Sequence, residues 1–591
     1  MFRVRIVLIG MLGCVAAHAA NDASQVLTTI AERSGFQRTG RYAEVLELCG
    51  AFQTRWPDRV RCEEFGRTPE GRPMLAVIAS AANVLDAQSA RREEHPVVLM
   101  QGAIHAGEVD GKDAGFLVLR EMLEGKAAAS VLERVTFVFV PVLNVDGHER
   151  FGRWNRPNQA GPQEMGWRTT AQNFNLNRDY TKADGPETQA VLRLLNQWDP
   201  ILYADLHATD GANFQHDVAY LVSPTLAGDP GLREAGVALQ EELLRRMTAQ
   251  GSLPLDFYPA LVRDDDPQSG FAVGVGPSRF SQEYWATRNR IGVLVETHSW
   301  KDYPTRVRIT RNSIIAMLEL AAQHGRDWRR LANAADDRNR KLAGETVVLV
   351  HQNTDHIRTI DFKGYAYTRE PSAISGGLVT KYDPTRPQVW RIPLKDEVRP
   401  AVSIIAPRGG YVVPAAHARW MREKLTLHNI SFEGLARPLT AQDVEAFRAD
   451  KVTPSATTFE GHTMLDVEGQ WRNERRDIPA GSLFVPIAQP NARLAITLLE
   501  PADPDSFLHW CFFNTAFEPK EYMEAYVAEA IGEQMLKTDP KIRAEFSRKL
   551  AEDPEFARSP AARLEFFYRR HPSWDERLNL YPVLRTERVM K

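Results

Sequence analysis

Between residues 96 and 298 the chain alternates short apolar runs with stretches of helical period, and that alternation limits the fold more than any other feature. "HPVVLMQGAI" reads as a buried strand, "GKDAGFLVLREMLEG" as a helix, "RVTFVFVPVLN" as a second strand and "GPETQAVLRLLNQW" as a helix. "PILYADLHA" and "IGVLVETHSW" are further strands, and the helical patterns "GLREAGVALQEELLRRMTAQG" and "SRFSQEYWATRNR" lie between them. Continuous apolar strands joined through helices predict an α/β domain with a mainly parallel mixed sheet flanked by helices on both faces. Such sheets hold their ligands outside the carboxyl ends of the strands. Three candidate residues fall there: His105 follows the first strand, His207 ends "ILYADLH", and Glu296 ends "IGVLVE".

A long helical stretch from about 308 to 342 is taken as the end of this domain. Beyond it, "TVVLVHQ", "AVSIIAP", "YVVPA", "SLFVPIA" and "LAITLLEP" read as short β runs between Pro, Gly and polar clusters. From about 519 to 570 the period is helical again. The expected organisation is a signal peptide over 1–20, a catalytic domain over 21–343, a β-rich accessory domain over 344–518 and a helical C-terminal segment over 519–591.

The start, "MFRVRIVLIGMLGCVAAHAAND", has Arg3 and Arg5, then an apolar stretch and an A-x-A site at Ala17 to Ala19. This is the pattern of a cleaved secretory leader, which implies a periplasmic or secreted protein. "MLGC" offers a competing lipoprotein reading through Cys14, against which Met11 fits poorly. No later run approaches the 18 apolar residues of a membrane span. A net charge of -3 without long runs of like charge argues against nucleic acid as a partner. In an oxidising compartment Cys49 and Cys62 could pair, leaving Cys511 odd; three buried free thiols are an equal alternative. The oligomeric state is not legible.

The H-x-x-E of "HAGE" is weak evidence alone. With His207 it supplies two histidines and a glutamate, the donor set of a hydrolytic zinc site that keeps one position open for water. Asp205, two residues before His207 on the same strand, faces the same way and is a candidate outer-shell acceptor for its second ring N–H.

Four ordered segments resemble the M14 family of zinc carboxypeptidases: "HAGE" with His105 and Glu108, "NFNLNRDY" with Asn177 and Arg178, "DLHA" with His207, and "LVETH" with Glu296; "GWRTT" with Arg168 resembles the family's arginine beside the carbonyl. "FGRTPEGRPMLAVIAS" and "PVLNVDGHERFGRWNR" also resemble family segments, the second with Val145 where the family has proline. The resemblance spans roughly 40 to 330. It implies one Zn2+ per chain on His105, Glu108 and His207, with Glu296 as general base. It also implies Arg168 as a donor to the developing oxyanion, and Asn177 and Arg178 as the grip on a substrate's terminal carboxylate. The family's mobile tyrosine has no clear counterpart, since Tyr284 is only twelve residues before Glu296. The specificity residue is not placed either.

The activity so implied is removal of C-terminal residues from peptides. Two alternatives stay open: peptidoglycan-peptide or small-molecule amide hydrolysis on the same zinc site, and non-catalytic peptide or glycan binding on a peptidase scaffold.

Overall fold

A computed structural model describes residues 27–590. The expected leader and Cys14 lie outside the described residues. No described helix is long and apolar enough to cross a membrane.

The centre of the molecule is an eight-stranded sheet in the order 60–67, 73–79, 136–140, 97–102, 202–209, 291–298, 218–223 and 254–255. Strand Val97–Gly102 runs parallel to both of its neighbours, and Leu202–Thr209 parallel to Ile291–His298. The outer pairs 60–67 with 73–79 and 218–223 with 291–298 are antiparallel, so the sheet is mixed. Every residue of the strands Val97–Gly102, Leu202–Thr209 and Ile291–His298 is buried. This explains why they read as continuous apolar runs rather than alternating ones.

Helices Asp110–Leu123, Pro186–Trp198, Pro230–Ala249 and Tyr303–Asn339 cover the sheet. Helix Asp110–Leu123 can approach strand Leu202–Thr209 because Gly111 has no side chain: a Cβ there would lie 2.7 Å from Leu206 Cβ. Its N-terminus is thereby held beside the strand that carries His207. Cys49 and Cys62 are joined in a disulfide, and Cys511 is free.

After residue 345 the chain is β-rich. A six-stranded sheet carries the long hairpin 439–454/465–478, and a second hairpin, 358–371/378–395, adds the short strand Phe271–Ala272 of the preceding region. Four helices between 525 and 568 form the helical tail, after which strand Leu580–Thr586 returns to the six-stranded sheet. One expectation fails. "LAITLLEP" is not a strand but lies largely in helix Ala492–Leu499, where Leu494, Ala495, Ile496, Leu498 and Leu499 are all fully buried. At eight residues the run spans little more than two helical turns, so its buried apolar residues do not separate a short helix from a strand by pattern.

Candidate metal centre

The parallel register aligns the candidate residues. Leu202–Thr209 and Ile291–His298 pair so that His207 lies directly opposite Glu296 and Asp205 opposite Leu294. Gly102, at the end of its strand, pairs with Leu206, which brings the following turn with His105 and Glu108 to the same rim. Ligand atoms of His105, Glu108 and His207 all lie within 4.8 Å of one another, and all three residues are buried. Both imidazoles present Nδ1 to the Glu108 carboxylate, at 3.0 Å from His105 and 2.9 Å from His207. Two nitrogens and a carboxylate converging on one point match the donor preference of zinc.

The opposite ring nitrogens are held from behind. Nε2 of His207 lies 3.1 Å from Asp205 Oδ2, and that oxygen also accepts from Ser281 Oγ at 2.7 Å. Nε2 of His105 lies 3.1 Å from Asn175 Oδ1. Such contacts fix the ring orientation and leave Nδ1 for a metal. Burial pulls His207 toward neutrality, but the Asp205 and Glu296 carboxylates outweigh it and hold its proton well above the usual imidazole range. Burial dominates at His105 and pushes it down to about 4. Burial also opposes charge on Glu108, yet His105 and Arg156 keep it well below the ordinary carboxylate range.

Glu296 is 6% exposed, and its Oε2 has no hydrogen-bond partner among the described residues. Burial drives its carboxyl upward, His207 offsets part of the rise, and Glu108 and Asp205 add to it. A buried carboxyl with a free oxygen and a raised affinity for protons is suited to take one up from a nearby reactant. The strand end is fixed from the side. Arg306, fully buried, pairs through Nε with Asp110 Oδ2 at 2.9 Å, and the same oxygen accepts from Thr297 Oγ1 at 2.9 Å.

The structure brings Asn177, Arg178 and Arg168 to this rim as well. Asn177 Oδ1 accepts from Ser281 N at 3.1 Å, and its Nδ2 lies 3.5 Å from His207 Nε2. The Arg178 guanidinium stacks on Phe280 at 4.4 Å and donates to Asn177 O at 2.7 Å. Arg178 makes no ion pair among the described residues; burial, Arg168 and Arg279 all disfavour its charge. Arg168 lies 3.8 Å from Glu108 Oε1 and keeps 38% of its side chain exposed.

Four residues at the site escaped the sequence reading. Arg156 Nη2 lies 2.8 Å from Glu108 Oε1. Asn175 supports His105 from within a segment already singled out. Tyr258 sits beside Thr209 in the field of Glu296 and Glu108, with its phenol pushed up by burial. It lies in a loop that matched no motif. Glu460, from the turn of hairpin 439–454/465–478, accepts from Asn175 N at 3.2 Å, so the β-rich region reaches the rim.

Residues 45–228 match the family model for zinc carboxypeptidases, Peptidase M14. Carboxypeptidase 2 of Trichophyton rubrum is 22% identical over 465 residues, which cover 75% of this chain and 78% of that protein. Carboxypeptidase 2 of Trichophyton tonsurans is 22% identical over 471 residues, with the same shares covered. Among solved structures, the metallo-carboxypeptidase of Burkholderia cenocepacia aligns with 46% of this chain and 68% of its own, at 17% identity and a TM-score of 0.33. Glu296 lies beyond the family match, and its place beside the trio rests on strand register. The segment 45–228 is thus similar to the M14 zinc carboxypeptidases, and the curated relatives that align over three quarters of the chain are carboxypeptidases.

Proposed function

We propose that the protein is an exported zinc metallocarboxypeptidase that hydrolyses the last peptide bond of its substrates. The observation that carries the reading is the convergence of His105, Glu108 and His207 with the unpartnered Glu296 on adjacent strand ends. Zinc held by the trio would polarise the scissile carbonyl and acidify a water molecule.

The remaining steps belong to the chain's own side chains. Arg178, held by its stacking on Phe280 and lacking an ion pair among the described residues, receives the substrate's terminal carboxylate, with Asn177 beside it. This anchors the chain end and places the last amide over the trio. Arg168, partly exposed at the rim, donates to the carbonyl oxygen as negative charge develops on it. Glu296 takes a proton from the attacking water and returns it to the leaving nitrogen, so a free amino acid and a shortened peptide result. Glu460 supports a role for residues 344–518 as an accessory domain that walls the mouth of the site. Export rests on the leader pattern of residues 1–20.

The reading is tested by steady-state kinetics on blocked dipeptides. Arg178→Gln should raise KM far more than it lowers kcat, and a C-terminally amidated substrate should be poor for both enzymes. Equal loss on acid and amide substrates would remove Arg178 from carboxylate binding.

A further inference from the structure

A second feature lies on the seam between the zinc-site domain and the β-rich region. A cavity of about 220 Å³ is lined on one side by Leu221, Ser223, Tyr258 and Glu283, and on the other by Val347, His351, Arg493 and Thr497. Leu221 pairs with Leu294, and Ser223 with Gly292, so the cavity runs along the strand next to Glu296, away from the rim.

Arg493 is the anomaly in this wall. It stands in the first turn of helix Ala492–Leu499, where the helix dipole already disfavours positive charge. Its guanidinium makes no hydrogen bond or ion pair among the described residues, and burial disfavours its charge. Asp229, the acid whose field it feels, is held by Arg338 through both oxygens, at 2.6 and 2.8 Å. Several other deeply placed arginines are paired: Arg306 with Asp110, Arg290 with Asp199 and Asp336, Arg279 with Asp505, and Arg585 with Glu500. A half-buried cation left without a counter-ion is costly, and natural proteins retain such groups where a ligand supplies the opposite charge.

The rest of the wall narrows the ligand. Thr497 lies one turn from Arg493 on the same face, with its hydroxyl directed to Asp503. Glu283, Asp503 and Asp505 are acids whose burial favours the protonated form, and the lining holds no second arginine or lysine for a dianion. Leu221, Val275, Val347 and Leu349 supply apolar surface. From the cavity, the unpaired guanidinium and the apolar wall, we infer a second binding site for a small monocarboxylate with an apolar body, its carboxylate on Arg493. Arg493 is not part of the zinc centre, although Tyr258 borders both, and the inference does not depend on the proposed peptidase activity.

The test is calorimetric titration of the full chain carrying Arg178→Gln, which silences the carboxylate grip proposed at the zinc site. The probes are 4-methylpentanoate, leucine and inorganic phosphate. One equivalent of 4-methylpentanoate or leucine should bind, and the preference between them shows whether an α-ammonium group is tolerated. Adding Arg493→Gln should weaken that binding by about tenfold or more, and Arg493→Lys, which keeps the charge, should weaken it less. Without ligand, Arg493→Met should melt no lower than the parent, because it removes an unpaired charge. Binding of phosphate alone, carboxylate binding indifferent to Arg493→Gln, no binding of any probe, or a marked loss of stability in Arg493→Met would each overturn the site.

Discussion

Replacing Asp205 by alanine should weaken zinc binding without unfolding the protein. Asp205 is fully buried; its Oδ2 lies 3.1 Å from His207 Nε2 and accepts from Ser281 Oγ at 2.7 Å, while Oδ1 has no partner among the described residues. It is therefore the carboxylate placed directly behind the second ring nitrogen of His207. Removing an outer-shell carboxylate of this kind typically costs ten- to a hundredfold in metal affinity, or about 1.4 to 2.7 kcal/mol. Asp205→Asn keeps an acceptor but loses the charge and should fall between the two, whereas Ser281→Ala, which leaves the carboxylate in place, should change affinity by only about twofold. The assay is competition for zinc against a chromogenic chelator on metal-free protein, with near-ultraviolet circular dichroism to confirm that each variant is folded. Zinc affinity unchanged in Asp205→Ala would refute the view that this carboxylate orients and charges His207.

Three further outcomes concern two buried charged groups and the disulfide. Both oxygens of the buried Glu187 carboxylate lack partners among the described residues, and burial raises it to about 7, so folding favours its protonated form. Its stabilising contribution is full below the ordinary value of 4.5 and is lost as pH rises to 7, roughly 3 kcal/mol in all. Urea unfolding of Glu187→Gln across that window should therefore show a flatter pH profile than the parent. Arg306→Met strands Asp110 as an unpaired buried acid and frees the carbonyls of Ala160, Gly161 and Lys301. It should cost about 3 to 5 kcal/mol, part of which Asp110→Asn in the same chain restores. Reducing the Cys49–Cys62 bridge, which closes a loop with a sequence separation of 13, should cost about 3 kcal/mol by the loop-entropy relation, measurable as a lower melting temperature in reductant.

The central sheet and the clustering of His105, Glu108 and His207 were legible because both are written in local pattern. Apolar runs of strand length end on His105, His207 and Glu296, and a mainly parallel sheet sends such ends to one rim. What stayed hidden depends on contacts between distant segments. Glu460 lies 285 residues from Asn175, and only the packing of a hairpin turn brings them together. Tyr258 and Arg156 sit in loops with no periodicity to mark them, and any arginine near an acid has the same appearance in sequence. The helix Ala492–Leu499 reads as a strand because eight residues are too few for its period to show, and with it went the position of Arg493.

The most direct test of the central claim is mass spectrometry of a defined peptide and muropeptide set after incubation with the zinc-loaded protein and with its Glu296→Gln variant. The account predicts that the parent alone removes single residues from free C-termini and leaves amidated termini intact. Internal cleavage, equal cleavage by Glu296→Gln, or no cleavage with zinc demonstrably bound would contradict it.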